Sequence, residues 1–321
     1  MNVQPVRSDA AYRAMMAAPA GKRGDLYRYE LMAPFKEKWD CYRVPLKAAE
    51  TGGYDVVMAS EMLGILPPAQ VDESRAEAVR LLGDDAFWDA CRRSVERSLS
   101  RFSARGIELP RQDYRFTVLL ANPGHPVVRA SEGYCGDGGI PGSILAWLDP
   151  NESTMRRLPA ALAHEANHNV RFQFVKWRDD ITLGEMLVSE GLAENFAVEL
   201  FGEELAGPWV TRTAPEALAQ VKPLVRAGLE AQGLAELSAY LYGDETAALM
   251  GYPTRGVPYC AGYACGYHLV RRFLDETGAD IAEATLLPAA DILDAARGFW
   301  ERVKGAAGPI PLPRAPPSGR A

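Results

Sequence analysis

The chain has 321 residues, of which 48% are hydrophobic and 24% charged, with a formal net charge of -7 and a pI near 5.3. That length and composition suit a globular enzyme with a buried core, in one large domain or two modest ones. So acidic a chain has no general attraction to nucleic acid or to an anionic membrane, and neither is expected as a partner.

The first 21 residues lack the apolar centre of a secretory signal. No later stretch stays uncharged long enough to span a bilayer. The most apolar windows are broken by His164 and Glu165, or by Glu190 and Glu194. Cys41, Cys91, Cys135, Cys260 and Cys265 are odd in number and show no metal-finger spacing. They read as reduced thiols, and the expected location is cytoplasmic. Cys260 and Cys265 are expected to serve as small packing residues on a helix.

In chain order, residues up to about 107 read as helices and loops. A clear helix is predicted over 85–105, with Phe87, Cys91, Val95, Leu99 and Phe102 at helical spacing and Gly106 just beyond. Residues 114–121, rich in β-branched and aromatic side chains and followed by Asn122-Pro123-Gly124, predict a strand and its turn. A Gly-rich loop is expected over 133–142, then a short apolar run, Ser143–Leu148. Residues 158–174 predict a helix with Pro159 in its first turn. A second helix is predicted over 182–201, opening on a capping box of Thr182 and Glu185 and closing at Gly202. Further helices are expected at 214–232, 261–276 and 288–304. The Pro-rich end, 308–321, has no apolar periodicity and reads as disordered. The expected organisation is a mainly helical region over 1–107, a catalytic domain over 108–305 and a tail over 306–321.

The chemistry is carried by His164-Glu165-Ala166-Asn167-His168. Histidines four apart share one helix face, so both rings can reach a single tetrahedral zinc. Glu165 borders that face without being forced into the metal shell, where it can take a proton from water. The bland alternative is two surface histidines beside a charged neighbour. A third ligand decides between them, and it is expected as a carboxylate on the next helix. Glu190 and Glu194 lie one turn apart within MLVSEGLAENFAVELF. Two carboxylates in so apolar a stretch are costly to bury unless a cation faces them. Gly191 is read as relieving the approach of the two helices.

The pattern His164-Glu165-x-x-His168 followed by Glu190-Gly191-Leu192-Ala193 resembles the gluzincins, the clan of thermolysin and the leucyl-type aminopeptidases. More closely, residues 158–168, the Ser189–Glu194 segment and Gly262-Tyr263-Ala264-Cys265-Gly266-Tyr267 resemble the YjaZ-like family of predicted zinc-dependent proteases. The resemblance covers about residues 110–305. It implies an α+β, mostly helical fold with a thermolysin-like core, in which an active-site helix pair stands behind a small sheet. It further implies peptide-bond hydrolysis by a zinc-activated water, with Glu165 as general base and one Zn2+ held by His164, His168 and Glu190. Glu194 matches the carboxylate that orients the first histidine. Ser143–Leu148 would be the edge strand that pairs with substrate backbone, and the Gly-rich loop one wall of the cleft.

An oxyanion donor is also needed. Tyr263 is the candidate, because Gly262 and Gly266 beside it would make room for a cleft. Tyr267 is the reserve, and each tyrosine has core packing as its alternative. His125 and His268 read as structural or surface residues. The expected partner is a peptide or protein substrate. Two other functions stay open: a catalytically idle zinc-containing peptide-binding module, and a zinc hydrolase of a non-peptide amide or ester.

Overall fold

Four short strands make one mixed sheet in the computed structural model, which describes residues 1–50, 52–178 and 180–301. The strands are Asn2–Pro5 (β1), Asp113–Leu120 (β2), Tyr134–Ile140 (β3) and Ser143–Leu148 (β4), hydrogen-bonded in the order β1-β2-β4-β3. β1 and β4 run parallel to β2, and β3 runs antiparallel to β4. The tail over 306–321 and the end of the helix expected at 288–304 lie outside the described residues.

Two expectations about this sheet are corrected. Ser143–Leu148 is not an edge strand: β2 flanks it on one side and β3 on the other, and all six residues are buried. Its lack of polar alternation is what a strand covered on both faces carries. Residues 133–142 are not a loop, since 134–140 form the edge strand β3, joined to β4 by a turn in which Gly142 takes a φ of 86°. The glycines there serve close approach rather than flexibility. A Cβ added at Gly138 would lie 2.0 Å from the Glu165 carbonyl oxygen, and one at Gly136 would lie 2.4 Å from the Glu165 carboxylate.

β1 is too short to be read from composition. It brings the start of the chain into the same sheet, and one hydrophobic cluster runs from Val3 to Trp300.

Six helices matter to the site: Lys36–Cys41 (α1), Asp85–Ser103 (α2), Glu152–Phe174 (α3), Leu183–Phe201 (α4), Leu234–Tyr242 (α5) and Ala261–Thr277 (α6). α3 starts earlier than expected, because Asn151 and Thr154 form a capping box. Pro159 therefore lies inside the helix, where its ring removes one helical hydrogen bond. α4 opens on the expected box of Thr182 and Glu185 and ends at Gly202. The helices expected at 214–232 and 288–304 are shorter, Pro215–Ala227 and Ala289–Ala295. Cys260 sits at the cap of α6 with a φ of 46° rather than on the helix; all five cysteines are free, and Cys260 and Cys265 are buried.

α6 lies against α4 at backbone distance. A Cβ on Gly191 would fall 2.1 Å from the Gly266 carbonyl oxygen, and one on Gly266 would fall 2.4 Å from that of Leu187. Gly191 thus relieves contact with α6, not with α3. A Cβ on Gly262 would fall 2.3 Å from the Tyr240 carbonyl oxygen. The glycines flanking Tyr263 seat α6 on its neighbours instead of opening a cleft. Among the described residues no helix is long and apolar enough to cross a membrane.

Candidate metal centre

α3 and α4 pack face to face, and their polar residues meet at one point. His164, His168 and Glu190 each offer one ligand atom, all within 4.8 Å of one another. His164 Nε2 lies 3.1 Å from His168 Nε2 and 3.2 Å from Glu190 Oε2, and His168 Nε2 lies 3.5 Å from that same oxygen. Ligands roughly 2.0–2.1 Å from a tetrahedral zinc stand about 3.3 Å apart, so the spacing fits that ion.

The surroundings fix which atoms face inward. Glu194 accepts from His164 Nδ1 at 2.9 Å, from the Gly207 backbone N–H at 2.6 Å and from Trp209 Nε1 at 3.0 Å. Ser189 Oγ is 3.1 Å from His168 Nδ1. With both Nδ1 atoms engaged, both Nε2 atoms are left to converge on Glu190. The field around them favours positive charge. Burial opposes a charged imidazole, yet hydrogen bonds that His164 donates to Glu190 and Glu194 hold it well above its ordinary pKa. Burial likewise opposes ionisation of Glu190, and the two histidines overcome it and hold that carboxyl far below the usual range. A site that attracts a proton so strongly also attracts a divalent cation.

Glu165 stands beside this cluster in the same cavity, of about 260 Å³. Its Oε2 accepts the Gly138 backbone N–H at 2.7 Å. Burial pushes its carboxyl up, partly offset by the charge of His164 and His168. The base candidate is thus gripped by strand β3, which is held in turn from two sides. Asn169, next to His168, donates to the carbonyls of Gly138, Ile140 and Ser143 and accepts from Gly142 N–H at 2.7 Å. From α1, fully buried Lys38 pairs with Asp137 at 2.7 Å, and Tyr42 donates to the same carboxylate at 3.1 Å. Burial would raise the Asp137 carboxyl, but Lys38 outweighs it and holds the pKa below its ordinary value.

Tyr263 lines the cavity, with its hydroxyl 3.1 Å from that of Tyr242, which also lines it. Tyr267 does not: it is packed with Val198, Ala206 and Val210 beside Trp209. His268 stacks edge-on against Tyr267, and His125 lines a neighbouring cavity. Asn167, the polar residue between the motif histidines, is fully buried and donates to Thr285 Oγ1 at 2.8 Å.

Sequence reasoning missed Lys38, Tyr42, Asp137, Gly138, Asn169, Trp209 and Tyr242, all remote from the motif or without a pattern of their own. Ser189 alone carried a local signal, since it directly precedes Glu190 in an otherwise apolar run.

A family described as "Predicted Zn-dependent protease (DUF2268)" matches residues 87–294. The "Uncharacterized protein YjfC" of Bacillus subtilis (strain 168) is 36% identical over 294 residues, covering 91% of this chain and 97% of that protein. The "Uncharacterized protein YjaZ" of the same organism is 30% identical over 140 residues, covering 42% of this chain and 49% of its own. No solved structure matches the chain. The site motif and its carboxylate helix lie within the matched segment, and the chain belongs to this family of predicted Zn-dependent proteases.

Proposed function

We propose that the protein is a zinc-dependent peptidase that holds one zinc per chain through His164 Nε2, His168 Nε2 and Glu190 Oε2, with Glu165 as general base. The observation that carries this reading is the convergence of those three ligand atoms within 4.8 Å, with Glu165 in the same cavity. Zinc held there would supply Lewis acidity toward a carbonyl and a water.

The chain's own residues supply the rest. Gly138 N–H occupies Glu165 Oε2 and leaves Oε1 to take a proton from the attacking water. The same carboxyl can then pass that proton to the departing amine nitrogen. Glu194 and Ser189 fix the ring orientation of the two histidines. Tyr263 donates its hydroxyl to Tyr242, and rotation of that hydroxyl would turn its proton to the oxyanion that develops on the carbonyl. A helix pair behind a small sheet is in keeping with a thermolysin-like core. The grip of Gly138 on Glu165 favours an active hydrolase over an idle binding module. The substrate is a peptide or protein met in the cytoplasm, with no role for nucleic acid or membrane.

The experiment is cleavage of a diverse peptide mixture, read by mass spectrometry, with Glu165→Gln as control. Products should appear with the native protein and vanish with the variant, while the variant keeps its zinc. Cleavage that persists in Glu165→Gln would defeat the assignment of the base.

A further inference from the structure

A second and larger cavity, of about 640 Å³, adjoins the 260 Å³ cavity of the metal centre. The two share wall residues, among them Tyr42, Leu63, Val127, Asp137 and Tyr242. Its lining is mainly apolar, with Trp39, Trp147, Met62, Leu234 and Met250 contributing. Leu234, Met62 and Tyr54 are 70%, 58% and 48% exposed, so its mouth opens to solvent. A large apolar space adjoining a reaction centre is suited to the side chains that flank the bond being cut.

Charge decides what part of a peptide can lie there. Among the described residues lining either cavity there is no Lys or Arg, and burial lowers the pKa of His125 in the second. A free C-terminal carboxylate placed in the second cavity would therefore find no cation, and burying it unpaired is costly. A free N-terminal ammonium would need an uncommitted carboxylate. Asp137, the one carboxylate lining that cavity, is already bound by Lys38, Tyr42 and the Gly139 N–H. In the second cavity neither chain end would find a charged partner.

We infer that the second cavity receives a bulky apolar or aromatic side chain of an internal peptide segment, and that the protein is an endopeptidase rather than a remover of terminal residues. This rests on the peptidase reading above.

The test uses the full chain and two peptides acetylated at one end and amidated at the other, one with Phe flanking the central bond and its counterpart with Ala. Both blocked peptides should be cut internally, and the Phe peptide should have a kcat/KM about thirtyfold or more above the Ala peptide. Ser238, partly exposed on α5, lines the second cavity. Ser238→Trp, checked for folding by circular dichroism and for zinc by metal analysis, should bring that ratio close to one. Loss of cleavage on blocking either end would overturn the inference, as would a Phe/Ala ratio unchanged in folded Ser238→Trp. If no peptide is cut, blocked or free, the peptidase reading itself fails. Binding of fluorescent versions of both peptides to the Glu165→Gln protein then reads the cavity separately. Tighter binding of the Phe peptide, weakened by Ser238→Trp, supports it; equal binding of both overturns it.

Discussion

Gly138→Ala separates the placement of the base from the binding of the metal. The added Cβ would lie 2.0 Å from the Glu165 carbonyl oxygen, 2.7 Å from its carbonyl carbon and 3.0 Å from its Cα. All three are backbone atoms in the middle of α3, which cannot swing aside as a side-chain tip can. Ordinary contact begins near 3.4 Å, so β3 must retreat by about 1.4 Å. The 2.7 Å hydrogen bond from Gly138 N–H to Glu165 then stretches beyond useful length. Overpacking of this kind costs about 1–3 kcal/mol, and loss of a hydrogen bond to a buried carboxylate adds a similar amount. Turnover should fall by about a hundredfold, since a base displaced by about 1 Å loses its aim. Zinc content should not change, because the ligands stand on α3 and α4. Gly139→Ala is the neighbouring comparison: its Cβ would meet only Tyr42 Oη at 3.2 Å and Asp137 Oδ1 at 3.3 Å, so it should cost far less stability. The assay is peptide turnover beside metal analysis and thermal unfolding of both variants. Normal turnover in folded Gly138→Ala would refute the claim that β3 positions Glu165.

The two carboxylates of α4 should behave differently when titrated with zinc against a competing chelator. Glu190→Gln removes a ligand oxygen and should weaken zinc binding most. Glu194→Ala should weaken it by roughly ten- to a hundredfold, because it releases His164 Nδ1 without touching the cluster. It should also lower the unfolding midpoint, since the buried Gly207 N–H and Trp209 Nε1 lose their acceptor. A larger zinc loss in Glu194→Ala than in Glu190→Gln would reverse the two roles. Tyr263→Phe removes one oxygen and keeps the ring, so kcat should fall by about a hundredfold with zinc content and KM nearly unchanged. A kcat close to normal would return Tyr263 to packing and shift attention to Tyr242.

What was legible in the sequence is what a helix makes periodic. His164 and His168 stand one turn apart with Glu165 beside the first, and Glu190 and Glu194 stand out because carboxylates are costly in an apolar stretch. Helix starts marked by side-chain caps were read well at Thr182 and missed at Asn151, where Thr154 rather than Glu or Gln completes the box. The sheet was harder. Gly133–Gly142 has the composition of a loop, but Gly136 and Gly138 are there because β3 lies directly on α3, a tertiary fact that no local pattern encodes. With β3 taken for a loop, nothing opposed the edge position that the family resemblance implies for Ser143–Leu148. The clamp of Lys38 and Tyr42 on Asp137 was invisible for another reason. About a hundred residues separate its members, and a lone Lys on a short helix looks like solvated surface until its burial is seen.

The central claim is that His164, His168 and Glu190 form a zinc site, and metal analysis of the purified full chain, never exposed to chelator, tests it most directly. The account predicts about one zinc per chain in the native protein and in Glu165→Gln, with little left in His168→Ala folded to the same extent. Protein with no zinc above background, or His168→Ala that keeps the native amount, would contradict it.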